Sequence, residues 1–189
     1  MSSLFEYGVK AAVLAFLAIT TLAVPAQRRR DPLTNQEVDQ LREQAQNAEE
    51  RLKLWIKFTR ARLAGLEQTG VDPSAAADRP QRIHELLEDL DEMAGEIDDN
   101  MSSYAKDRWD IRKELKEIIE LGSEYQMKVR SLKESAEASR EAPTYRFVLQ
   151  DTTEAFHNLA DDARELLDQQ NQQAKEKDPA KKLRKLERR

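Results

Sequence analysis

The sequence predicts an all-α protein: antiparallel helical hairpins of coiled-coil type, built around one long central helix. Three observations predict it. Apolar residues recur at three- and four-residue steps through three long segments, which is helical periodicity. No proline falls between Pro80 and Pro143, so nothing in that stretch forbids a helix. Charged residues make up 35% of the 189-residue chain and aromatics 6%, a balance that suits exposed helices rather than sheets.

The chain opens on a segment that is not part of this fold. Residues 11–24, AAVLAFLAITTLAV, carry no charge and follow Lys10, and Val24 and Ala26 set small residues at the −3 and −1 positions of a cut after Ala26. This is the layout of a secretory signal peptide cut after Ala26. The apolar run is shorter than the roughly 20 residues a membrane span needs. Arg28-Arg29-Arg30 opposes translocation and favours an uncleaved N-terminal membrane anchor as the alternative. The expected address is the periplasm or the exterior, with inner-membrane anchoring as the alternative.

Residues 27–34 read as a linker, with Asp31-Pro32 breaking the chain. Thr34 and Glu37 then form a capping box, in which hydroxyl and carboxylate each satisfy a free backbone N–H. The first helix is expected over residues 35–68, with a seam of Val38, Leu41, Ala45, Ala48, Leu52, Trp55, Thr59 and Leu66. Leu54, Ile56, Phe58 and Leu63 add a second apolar strip that one partner helix cannot cover. That strip is the candidate interaction surface read from the sequence.

Leu33-Thr34-Asn35-Gln36-Glu37 resembles the Leu-Thr-x-x-Gln motif of small periplasmic stress chaperones, which are also exported helical hairpins. The match covers five residues and ends in Glu rather than Gln, and the capping box accounts for the same residues.

Gly70, Pro73 and Pro80 mark a connection, with Asp78 as the expected cap of the central helix and Gln81 three residues on. That helix is expected over residues 80–138, with a seam through Ile83, Leu86, Leu90, Met93, Ile97, Met101, Tyr104, Arg108, Ile111, Leu115, Ile118, Gly122, Tyr125, Val129, Leu132 and Ala136. Two four-residue steps meet at Ile97, a stutter that locally unwinds a supercoil. Residues 98–103 have poor helix propensity. A break near residues 99–103 would convert the molecule into a four-helix bundle.

The last helix is expected over residues 143–173, with its seam on Tyr145, Leu149, Thr152, Phe156, Leu159, Ala163, Leu166 and Gln170. Antiparallel pairing sets Phe156 on Tyr125 and Leu159 on Gly122 in one hairpin. In the other it sets Leu66 on Ile83, Ala48 on Met101, Ala45 on Tyr104 and Leu41 on Arg108. Residues 174–189 hold 8 basic and 3 acidic side chains, and are expected to be a disordered tail.

Residues 34–173 hold 19 basic and 31 acidic side chains. An acidic body repels nucleic acid and anionic lipid, so nucleic-acid binding is not expected. Membrane contact is expected only through an uncleaved N-terminus or weakly through the tail. The chain has no cysteine, which excludes disulfides and thiolate chemistry. Only His84 and His157 are available as imidazoles, and neither has a spaced ligand set or a nucleophile beside it. The acidic run from Glu85 to Asp99 lacks the glycine turn of a calcium loop and reads as a solvated face. Cofactors, metals and catalysis are therefore not expected. The expected role is an exported, non-enzymatic structural or interaction protein that binds a protein partner or itself. The alternatives are a client-binding periplasmic chaperone and a membrane-anchored coiled-coil scaffold.

Overall fold

A computed structural model describes residues 30–71, 77–138 and 142–187, with side chains at 30–70, 77–134 and 142–176. The proposed signal peptide, the cut after Ala26, residues 72–76 of the connection and the Ala136 side chain of the second seam lie outside the described residues. The described chain holds five helices and no strand. These are α1 Asn35–Glu43, α2 Ala48–Val71, α3 Arg79–Lys106, α4 Arg112–Ala138 and α5 Ala142–Glu187.

The capping box starts α1 as the sequence predicts. The Glu37 backbone donates to Thr34 Oγ1 at 3.3 Å, and the Thr34 backbone donates to Glu37 Oε2 at 2.8 Å. The first helix nevertheless ends at Glu43, so the expected continuous helix over 35–68 is corrected to two. Residues 44–46 turn, and Asn47 restarts the chain by accepting the Glu50 N–H on its side chain at 3.2 Å. Asn and Asp side chains compete with the helical backbone in this way. Arg51 reaches back to the Leu41 carbonyl at 3.1 Å, which the end of α1 leaves without a helical partner. α1 folds back along α2, where Val38 and Leu41 sit beside Trp55. Leu41 thus lies beside Trp55, Glu92 and Glu96 rather than on Arg108, and Ala45 is exposed in the turn.

Asp78 precedes α3 as expected, with Pro80 in the first turn, but its side chain makes no capping hydrogen bond. Gln81 instead donates to Glu85 at 3.2 Å. α3 runs through the weak 98–103 segment because Ile97 and Met101 are completely buried there. Packing outweighs the propensity deficit of the intervening Asp, Asn and Ser.

The single central helix is corrected to two. The break lies at residues 107–111, beyond the 99–103 segment, and it yields the bundle alternative. The Arg108 N–H donates to the Ala105 carbonyl and the Trp109 N–H to the Tyr104 carbonyl, both at 3.0 Å. Arg108 has φ 65°, the left-handed conformation. This is a Schellman termination with arginine where glycine normally sits. Gln170 of α5 secures the corner, accepting from the Ile111 N–H at 3.2 Å and donating to the Trp109 carbonyl at 3.0 Å.

The bundle consists of two antiparallel hairpins, α2–α3 and α4–α5, laid on one another. α2 and α5 each border both α3 and α4, so the 107–111 corner crosses a diagonal. Gly65 lies against Leu86 and Arg51 bonds Asn100 at 3.2 Å, close to the predicted register of the first hairpin. Tyr125 and Phe156 stack with centroids 4.1 Å apart and planes 2° apart, as the second register predicts. Gly122 faces Ala160 and the Phe156 carbonyl rather than Leu159. Polar pairs join the hairpins: Arg60 clasps Glu124 with two bonds of 3.1 Å, and Lys128 binds Glu67. Thr152 Oγ1 lies 3.1 Å from the Leu87 carbonyl.

α5 does not stop at residue 173. It continues through the basic segment to Glu187, past Pro179, on either side of which Ala, Lys, Arg, Glu and Leu are strong helix formers. Its 46 residues span about 69 Å against about 40 Å for α4.

Candidate interaction surface

Folding into a bundle removes the surface that the sequence suggested. Ile56, Phe58 and Leu63 are buried at 1%, 3% and 1% exposure, and Leu54 is half-buried against the same core. The strip is two-sided because α2 has two neighbours, α3 and α4. The two partners close it internally, which corrects its reading as an interaction surface.

The sequence-selected polar groups do not converge either. His84 lies 3.4 Å from Glu88 and His157 lies 3.5 Å from Asp161, each one turn along its own helix. Among the described residues no three His, Cys, Asp or Glu side chains are placed to hold a metal ion. Asp98 is held above the ordinary carboxyl range, first by burial and then by the nearby Asp162 and Asp99 charges. Glu114 is 1% exposed and is likewise raised, chiefly by burial; its nearest cation is Lys53 Nζ at 3.8 Å.

An apolar opening lies between the C-terminal half of α4 and the N-terminal half of α5. It is a groove of about 1040 Å³. The buried Val129, Tyr145 and Leu149 form its floor, and Pro143 is among the residues that line it. The helices position these residues by spacing alone. Val129, Arg130 and Lys133 share one face of α4, while Tyr145, Leu149, Thr153 and His157 step along one face of α5.

The rim carries the opposite charge to the body. Arg130, Lys133 and Arg146 are exposed along it, and Glu154 is the one carboxylate among its described lining residues. Arg130 leans on Glu134 at 3.1 Å, and the Arg146 guanidinium lies 4.9 Å from the centre of the Phe147 ring. No protein-family model, curated protein or solved structure matches this chain. The groove must therefore be read from its own chemistry. An apolar floor between two helices, with a cationic rim, suits an amphipathic helix bearing acidic residues beside its apolar face.

Sequence reasoning placed the floor residues in the hairpin seam and did not single out the rim. The signal was present as basic residues at 130, 133 and 146, clustered in an otherwise acidic body. Their meaning depends on the register that brings the two helix faces to one opening.

Proposed function

We propose that this chain is an exported, non-enzymatic helical interaction protein that receives an acidic amphipathic helix of a partner protein in the α4–α5 groove. The observation that carries the reading is the cationic rim around Val129, Tyr145 and Leu149 in a body of net negative charge. Charge complementarity of this kind steers association and selects partners. The N-terminal layout of residues 1–26 supports export.

A photoreactive residue in place of Gln150, on the groove's edge, tests the groove in the full chain. The expected result is a discrete protein adduct that disappears in a Lys133→Glu/Arg146→Glu variant. An adduct pattern unchanged by the charge reversal, or no adduct at all, rejects it. N-terminal sequencing tests the address, with Gln27 the expected first residue. Retention of Met1 would support the anchored alternative, which the Arg28-Arg29-Arg30 cluster favours. The client-binding chaperone reading has lost the strip on which it rested.

A further inference from the structure

We infer that two copies of this chain exchange their α4–α5 hairpins by straightening the 107–111 corner into helix, with the second copy as the partner that the corner is poised to admit. Three observations lead there.

The corner is built from residues that do not favour it. Arg108 holds φ 65° at a position where a side chain is strained and glycine is the usual choice. Residues 96–121 contain neither glycine nor proline, so nothing in the covalent chain prevents helix there.

The apolar pattern ignores the corner. Met101, Tyr104, Ile111 and Leu115 stay on the three- and four-residue steps of a continuous helix, with Arg108 holding the one step between Tyr104 and Ile111. Straightening therefore leaves the buried faces of α3 and α4 in phase, and the two segments join into one helix over residues 79–138.

The contacts between hairpins do not depend on the corner. Arg60 with Glu124, Lys128 with Glu67, and Thr152 with the Leu87 carbonyl each join a residue before the corner to one after it. All of them form equally well between two chains. The bonds that belong to the bent corner itself are the Schellman pair from Arg108 and Trp109, the Arg112 bonds to Asp110, and the Gln170 bonds to Trp109 and Ile111. Exchange thus replaces a strained turn by helix and keeps the rest, the condition under which swapped dimers form readily.

The chain has no cysteine, so single thiols can be placed without interference. Two full-length chains, one carrying Arg60→Cys and the other Glu124→Cys, are produced in the same cell and treated with a short bismaleimide. The expected result is a covalent dimer joining the two chains, with a mass by sedimentation of twice the monomer. Asp107→Ala/Arg108→Ala, which favours helix, should raise the dimerisation constant about tenfold, and Arg108→Gly should lower it about tenfold. A chain that stays monomeric in both corner variants overturns the inference. So does a dimer in which no link joins position 60 of one chain to position 124 of the other.

Discussion

Arg62 grips Glu37 through both ends of its guanidinium, at 2.5 and 2.7 Å, and its fork also bonds the Pro32 carbonyl at 2.7 Å. Both side chains are largely buried, at 16% and 14% exposure. One carboxylate thus completes the cap of α1 and fastens α1 to α2. The Arg62 bonds, then those from Thr34, hold the Glu37 carboxyl down to about 2 from an ordinary value of 4.5.

Acid should release α1. A carboxyl depressed in the folded state stabilises fully above its unfolded pKa, and the contribution is lost as pH falls through the folded one. The window here runs from 4.5 down to about 2. A shift of that size corresponds to about 3 kcal/mol. Arg62→Ala removes the larger part of that shift and should cost about 1–2 kcal/mol at neutral pH in chemical denaturation, with Glu37 moving up towards 4.5 in a carboxyl NMR titration. A variant with unchanged Glu37 titration would contradict this account.

Glu114 should behave oppositely. Its carboxyl is raised by burial, so the charged form opposes folding once pH exceeds the unfolded pKa. Glu114→Gln should raise the unfolding midpoint at pH 7 and make little difference at pH 3. An equal shift at both pH values would point to packing rather than charge.

Two glycines should respond in opposite directions to the same substitution. A methyl at Gly122 would lie 2.8 Å from the Ala160 Cβ and 3.3 Å from the Phe156 carbonyl, so α4 and α5 must part. Gly122→Ala should cost about 1–3 kcal/mol by overpacking. A methyl at Gly95 meets nothing within 4 Å, and Gly95→Ala should stabilise by up to about 1 kcal/mol through helix propensity. Thermal unfolding of the pair checks both signs at once.

Arg108→Gly should stabilise the monomeric bundle by about 1 kcal/mol, by relieving the left-handed conformation at the Schellman position. Urea denaturation at low protein concentration is the measurement. A loss of stability would mean that the arginine side chain contributes more than its backbone costs.

Periodicity and capping made much of the bundle legible. The Tyr125–Phe156 stack follows from counting along two seams, and the Thr34–Glu37 box from three residues of spacing. The corner at Arg108 was hidden because the usual glycine is absent and the apolar steps pass straight through it. The turn at Asn47 was hidden for the same reason, with Leu41 and Ala48 both in phase across it. The α2 strip was visible, but what covers it was not. An excess of apolar faces says that a helix has two neighbours, without saying whether they belong to the same chain. The groove shared this fate, since its rim residues lie in two helices and only the folded register brings them together.

The stacking of two local hairpins also sets how the chain finds its fold. Each hairpin joins segments that adjoin in sequence, so its loop closes at little entropic cost and its helices can pair early. Bringing Arg60 to Glu124 and Glu67 to Lys128 spans more than 60 residues and must come later. Refolding should therefore gain helix content before the hairpins dock. A chain caught between those stages presents the apolar side of α2 to whatever it meets first.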